Sequence, residues 1–377
     1  MKNRKQTSKD RQSIALAIDI GYGQVKLSYL DERGEITYMS FPSIAVPADP
    51  SLMRGLARSR NTFDVPTTGG GVYEVGIDIT LAQTGNDFGR EITDHWVASP
   101  IYEALMKGAL RYQDQERIDM LYLGLPVSHY KVLDRQVNLA AMYQNREIDL
   151  GDGKIVSIGE VRIIPQPYGG YLELADHIDI LNKVIESGNG QYSLPALQGP
   201  EELAELTMLV VDPGENTLDW LLVVKGIMNT RASDATSDAG RHRVVRAAAE
   251  SLQAKLGTPV SKANWPRIND ALRSDWKIKI SGKIYDLREF EKDIRAVIKD
   301  PINRMIEGLK GLEDQLDVIG VVGGHPEFYC DELKRIFPHI PIYVSEGSIY
   351  ANLRGFQALA DEALRRQEAE SEALHGA

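Results

Sequence analysis

The sequence predicts an α/β protein of two domains. Three observations carry that prediction. The length of 377 residues is too great for one compact core and comfortable for two. Apolar strand-like runs alternate with segments of helical spacing. A short Asp-x-Gly motif at residue 19 returns at residue 212. Composition agrees: 43% hydrophobic and 26% charged residues are ordinary for a folded chain and exclude disordered and fibrous classes. No run approaches the roughly 18 apolar residues of a membrane span, and the basic start lacks a signal-peptide core, so a cytoplasmic protein without membrane partners is expected.

The elements follow in order. Ile14 to Ile18 is a buried strand, Gly21-Tyr22-Gly23 a turn, and Val25, Leu27 and Tyr29 alternate with polar residues before a third run, Ile36 to Phe41. That is a three-strand meander. Residues 47–90, rich in Pro, Gly, Thr and Asn around a strand at Tyr73–Ile79, read as an inserted subdomain. Helical spacing spans Asp94 to Tyr112, a strand Met120 to Leu125, and a helix Tyr130 to Tyr143. A hairpin turns at Gly151-Asp152-Gly153, Pro165-Gln166-Pro167 ends it, and a helix covers Tyr171 to Ile185. Ser187 to Pro200 is the linker.

The second half restarts with a strand, Thr207 to Val211, a turn at Pro213-Gly214 and a strand from Leu218 to Val224. Setting Ala17-Ile18-Asp19-Ile20-Gly21 on Val210-Val211-Asp212-Pro213-Gly214 pairs Asp with Asp and Gly with Gly, and places Lys26 opposite Asp219. A helix from Gly240 to Leu256, a hairpin from Trp276 to Leu287 and a helical stretch from Arg288 to Leu312, divided by Pro301, come next. The strand Asp317 to Val322 ends in Gly323-Gly324, with a helix from near Pro326, and Tyr343 to Ser345 leads into a C-terminal helix packed through Leu353, Phe356, Leu359 and Leu364.

A strand that ends in Asp-x-Gly and turns at once into another strand suits phosphate. Glycine lets the backbone present N–H groups at close range, and the Asp sits where it can hold a cation or its water shell. Two copies, each opening one half, predict facing hairpins that clamp one polyphosphate. Lys26 would neutralise phosphate charge, and Asp19 and Asp212 would flank Mg²⁺. Gly323-Gly324 supplies a third close approach, for the nucleoside. The lone cysteine, Cys330, excludes a disulfide framework and reads as a packed thiol. The seven histidines show no metal-binding spacing.

These residues resemble the actin, DnaK-chaperone and sugar-kinase superfamily, and within it the ParM/StbA-like bacterial actins that segregate plasmids. AIDIGYGQVKLSYLD looks like the first phosphate motif, VVDPGENTLDWLLV like the second, VIGVVGGHPEFYCDELKRIF like the adenosine motif, and SEGSIYANLRGF like the C-terminal return to the first domain. The resemblance implies an actin-like two-domain α/β fold, that is, duplicated ribonuclease H-like domains around a nucleotide cleft. Domain I would comprise residues 14–186 and 346–374 with an insertion at about 42–93, and domain II residues 201–345 with a small subdomain at about 258–300; residues 1–13 would be a basic tail.

It further implies a nucleotide site of Asp19, Gly21, Tyr22, Gly23, Gln24, Lys26, Gly214, Glu215, Asn216, Thr217, Gly240, Gly323, Gly324 and His325. Asp19 and Asp212 would hold the metal. Asp212 and Gln166 would be catalytic, Gln166 orienting the attacking water. The second motif departs from the pattern, with Pro213 and Glu215-Asn216 where relatives often carry Gly-Gly or Gly-Thr, as does His325 after the glycines.

The function implied is a slow ATPase or GTPase, with Mg²⁺, that polymerises into filaments and moves plasmid DNA. The net charge of −11 argues against direct DNA binding, so a DNA-binding adaptor is expected. The tail, with Lys2, Arg4, Lys5, Lys9 and Arg11 against Asp10, reads as a solvated arm or an electrostatic contact. The alternative is a small-molecule kinase of the same fold, using Asp212 or Asp219 as base. A chaperone ATPase lacks room for a substrate-binding domain.

Overall fold

The computed structural model describes residues 12–48, 60–81, 96–188, 190–192, 194–324 and 326–375. The expectations for the basic tail up to Arg11, for much of the insertion and for His325 lie outside them. In the first half, β1 (Ala15–Ile20), β2 (Gln24–Leu30) and β3 (Ile36–Pro42) form the predicted meander. A separate three-stranded sheet follows, from β4 (Val46–Pro47), β5 (Thr62–Pro66) and β6 (Val72–Gly76). The strand expected to reach Ile79 stops at Gly76, whose φ of 145° breaks the ladder.

Helix α1 (Pro100–Gln113) starts later than its apolar spacing suggests. Ser99 caps it by accepting from the Tyr102 N–H, and Pro100 takes the first turn, where no N–H is needed. Strand β7 (Arg117–Leu125) lies between two parallel neighbours, pairing with β1 through Met120–Leu123 and with a later strand along nearly its whole length. The single helix expected at Tyr130–Tyr143 is two pieces, α2 (Val127–Tyr130) and α3 (Leu133–Tyr143). After the hairpin of β8 (Arg146–Asp149) and β9 (Ile155–Pro165), helix α4 (Gln166–Ala175) begins at once, followed by α5 (Ile178–Ser187). Pro165-Gln166-Pro167 is therefore a helix start and not a loop: Pro167 sits in the first turn, where its missing N–H costs nothing. The first sheet has six strands in the order β3-β2-β1-β7-β9-β8, with β1, β7 and β9 parallel.

The second half repeats this plan. After α6 (Pro200–Ala204) come β10 (Thr207–Pro213), β11 (Leu218–Val224), β12 (Ile227–Met228) and β13 (Asp234–Thr236), then α7 (Arg241–Leu256). Helix α8 (Trp265–Arg273), which the sequence reading did not anticipate, precedes the expected small hairpin, β14 (Lys277–Ile280) and β15 (Lys283–Asp286). The stretch from Arg288 divides into α9 (Glu291–Ala296) and α10 (Lys299–Leu309), with Pro301 in the first turn of the latter. Strand β16 (Val318–Val321), α11 (Glu327–Ile336), β17 (Ile342–Val344) and α12 (Ala351–His375) complete the chain. The second sheet runs β12-β11-β10-β16-β17, with β10, β16 and β17 parallel. Cys330 is buried in α11, which pushes its thiol pKa up to about 12 and makes it a packing group.

Two helices exchange halves. Helix α4 leaves the first sheet yet packs, through Tyr171 and Leu174, on Met208, Val210 and Leu221 of the second. Helix α12 leaves the second sheet and covers Ala15, Ala17, Met120 and Tyr122 of the first with Leu353, Phe356 and Ala360. They meet at Gly169 and Gly355. A Cβ on Gly355 would fall inside contact distance of the Gly169 carbonyl oxygen, and one on Gly169 inside that of the Asn352 oxygen. Only glycine lets these backbones approach so closely.

Candidate functional site

The duplicated motif becomes two equivalent turns. In the first, the Gly21 N–H donates to the Gln24 oxygen at 3.0 Å; in the second, the Gly214 N–H donates to the Thr217 oxygen at 2.9 Å. The strand registers are equivalent too, Asp19 pairing with Lys26 and Asp212 with Asp219. The two turns meet across the halves: a Cβ on Gly23 would lie 2.7 Å from the Glu215 Cβ. Each turn is pinned from behind. The Ser43 hydroxyl donates to the Gly21 oxygen at 2.5 Å and its N–H to the Gly23 oxygen at 3.1 Å. At the second turn the start of α7 does this work. The N–H groups of Gly240, Arg241 and His242 donate to the carbonyls of Asn216, Gly214 and Glu215 at 3.1, 2.9 and 2.9 Å. Gly240 is required there, because a Cβ would sit 2.5 Å from the Glu215 carbonyl group.

Behind the turns lies a buried charged cluster. Asp19 is 1% exposed, Asp212 7% and Asp219 2%. Lys26 Nζ donates to Asp19 Oδ2 at 3.0 Å, and Gln166 Nε2 donates to Asp19 Oδ1 at 2.6 Å. Burial alone would depress the Lys26 ammonium, but the carboxylates of Asp19 and Asp212 outweigh it and raise its pKa, so it is charged. Asp212 is raised by burial first, against the pull of Lys26 and with the repulsion of Asp19. Its Oδ2 accepts from Asn352 Nδ2 at 2.6 Å. Burial pushes Asp219 up to about 7, with the Thr217 hydrogen bond opposing and Asp212 adding repulsion. Asp219 Oδ1 accepts from the Val127 N–H at 2.9 Å, joining the second hairpin to the first half.

Of the residues selected from the sequence, Asp19, Gly23, Lys26, Gln166, Asp212, Glu215, Asn216 and Gly240 converge at this junction. Gly323, at φ 85°, approaches so closely that a Cβ would overlap Asp212 Oδ1, while Gly324 faces open space. Tyr22 packs on Trp96, ring centroids 5.5 Å apart, and Gln24 is exposed. Beside the second turn, a cleft between α7, α8 and α11 is lined by Arg241, Val244, Asn269, Arg273 and Phe328. Sequence reasoning missed Asn352 and Arg241. It also missed the buried Glu173, which accepts from Arg354 Nη2 at 2.5 Å and from the Ser345 hydroxyl at 2.9 Å. The segment SEGSIYANLRGF was the available signal for Asn352, and for the Ser345 and Arg354 that hold Glu173.

A duplicated sheet with two facing Asp-x-Gly hairpins and two exchanged helices defines the actin-like class of proteins. The chain belongs to the actin-like proteins: residues 17–169 match the family "Actin like proteins N terminal domain", and residues 210–335 match "Archaeal actin homologue MreB-like, C-terminal". No curated protein sequence matches it. Among solved structures the chain is similar to Ta0583, an archaeal actin homologue, with a TM-score of 0.69 and 18% identity over 93% of this chain and 99% of the other. Ta0583 has also been solved in complex with ADP, with a TM-score of 0.65. A ParM from Clostridium botulinum, solved as a 15-stranded filament, aligns with a TM-score of 0.64 and 16% identity over 93% of this chain and 100% of the other. The Bacillus thuringiensis ParM with ATP aligns with a TM-score of 0.57 and 14% identity over 94% and 100%.

Proposed function

We propose that the protein is a nucleotide-dependent, filament-forming NTPase whose assembly is set by ATP or GTP. The observation that carries this reading is the head-on meeting of two Asp-x-Gly turns, one from each half, in front of buried carboxylates. Backbone N–H groups of Tyr22 and Gly23 and of Glu215 and Asn216, at the tips of the two turns, would cradle a polyphosphate, with Lys26 behind it. Gly323-Gly324 would admit the sugar, and the base would enter between α7, α8 and α11, where the cavity of about 10 Å³ has room for a single water and would have to widen. His325 and Thr217 complete the proposed contact set, with Tyr22 and Gln24 at its edge.

Asp19 and Asp212 fit a hydrated Mg²⁺. They offer oxygen donors only, burial and then the repulsion of Asp19 raise the Asp212 pKa, and an ion that keeps most of its own waters needs only one or two carboxylates. Among the described residues no group of three or more His, Cys, Asp or Glu could hold a metal. When bound, the ion would withdraw charge from the phosphate oxygens. Gln166, fixed on Asp19 at the start of α4, would orient the attacking water, and Asp212 would accept a hydrogen bond from it. Helices α4 and α12 carry Gln166 and Asn352 to the two aspartates and cross at Gly169 and Gly355, so they would transmit cleft closure to the packing of the halves.

The kinase alternative needs a carboxylate open to a substrate hydroxyl. Asp219 is buried and engaged by Val127 and Thr217, which favours the hydrolase reading. ParM relatives suggest plasmid DNA segregation as the task, in the cytoplasm. With a net charge of −11, DNA would be reached through a DNA-binding adaptor and not directly; no helix among the described residues is long and apolar enough to cross a membrane. The experiment is pelleting and negative-stain microscopy with and without Mg²⁺-ATP or Mg²⁺-GTP. Nucleotide-dependent filaments are expected; nucleotide turnover that requires a small-molecule acceptor, with no polymer, would sink the proposal.

A further inference from the structure

We propose that Glu215 is an internal stand-in for a nucleotide phosphate and that Arg241 exchanges one for the other when nucleotide enters. The inference rests on the nucleotide reading above and adds to it a phosphate-binding residue and an autoinhibitory contact. Glu215 stands at the tip of the second turn, where a glycine would leave the backbone open. Its carboxylate fills the junction instead: a Cβ on Gly23 of the opposite turn would be 3.2 Å from Glu215 Oε2. The same oxygen accepts from Arg241 Nε at 2.7 Å and also from Arg241 Nη2. The pair is well sheltered, with side chains 22% and 15% exposed for Arg241 and Glu215.

Arg241 is well placed for the exchange. Its backbone N–H is tied to the Gly214 oxygen at 2.9 Å, so the residue cannot drift from the hairpin. Its side chain lines the cleft with Val244, Asn269, Arg273 and Phe328, between the proposed phosphate and base positions. A guanidinium binds a carboxylate and a phosphate by the same forked donors. Lys26, the other cation of the junction, is held by Asp19 inside the first hairpin. Arg241 is therefore the cation whose partner stands on the rim of the slot, and swinging the Glu215 carboxylate outward both opens the slot and releases the fork.

The exchange makes two substitutions act in opposite directions and makes them interdependent. The experiment is calorimetric titration of Mg²⁺-ATP, Mg²⁺-GTP and the corresponding nucleosides, below the concentration at which pelleting begins, into wild type, Glu215→Gln, Arg241→Gln and the double variant. Thermal melts check each fold, and Glu215→Ser substitutes if the Gln form melts early. Glu215→Gln should bind the preferred triphosphate about tenfold more tightly and Arg241→Gln about tenfold more weakly. Nucleoside affinity should not respond to Glu215→Gln. In the Arg241→Gln background, Glu215→Gln should have no effect. Tightening that persists without Arg241 would indicate bulk repulsion and overturn the exchange, as would no tightening in Glu215→Gln. If wild type binds triphosphate, those results remove the exchange alone; if none of the proteins binds either nucleotide, the nucleotide reading falls and the exchange with it.

Discussion

Replacing Asp219 with Asn tests the electrostatics of the junction while keeping the acceptor that Val127 uses. The amide keeps an oxygen for the Val127 N–H, which donates to Oδ1 at 2.9 Å, and removes the charge. An ordinary aspartate titrates near 3.8, and burial moves Asp219 to about 7. At about 1.4 kcal/mol per pH unit, ionising it in the folded state costs roughly 4 kcal/mol relative to the unfolded chain. The sign follows from proton uptake. Between those two values the folded state holds the proton and the unfolded state does not, so the stability that Asp219 contributes is fully present below about pH 4 and is lost as pH rises to about 7. Asp219→Asn should therefore exceed wild type in urea stability at pH 8 by up to about 4 kcal/mol, the gap closing towards pH 4. Paired urea titrations across that range, fitted to a common slope, cancel the titrations of groups that do not interact with Asp219 and leave its own together with its coupling to Asp212 and Asp19. A difference that does not change with pH, or a variant less stable at pH 8, would refute the assignment of a neutral, buried carboxyl to this position.

Gly169→Ala should destabilise by about 2 kcal/mol or more, although alanine ordinarily stabilises a helix, since the new methyl meets the Asn352 backbone and no rotamer relieves it; thermal melting reads the sign. Arg354→Ala should cost about 3 kcal/mol by leaving Glu173 charged and buried, and adding Glu173→Gln should recover part of the loss in a double-mutant cycle. Asp19→Ala or Lys26→Ala should weaken Mg²⁺-nucleotide binding roughly ten- to hundredfold by titration, and unchanged affinity in both would remove the clamp. Asp212→Ala should slow hydrolysis strongly and prolong any filaments, with Gln166→Ala giving a smaller loss in the same phosphate-release assay.

The sequence by itself determined the class of fold, the doubling of the first hairpin and the equivalence of Lys26 with Asp219, because those properties are local. A strand of Ala, Leu and Ile closed by Asp-x-Gly must be buried and must turn, and two strands joined by so short a turn have only one register, which sets residue 19 against 26 and 212 against 219. Element ends were legible where a cap or proline marks them only once its position relative to the fold is known. Pro165 and Pro167 punctuate equally well as a loop or as a helix start, and the difference is that α4 has a second sheet to pack on.

Tertiary structure alone decided what surrounds the aspartates. Asn352 stands 140 residues from Asp212 and Gln166 stands 147 residues from Asp19, and no periodicity links such distances. Their meeting depends on two helices trading halves at a pair of glycines. It also decided that Glu215, an irregularity of the motif, fills the junction of the turns and engages Arg241. Burial and neighbouring charge are properties of the assembled cluster, which is why an aspartate with nothing unusual in its own sequence titrates at about 7 in the folded protein.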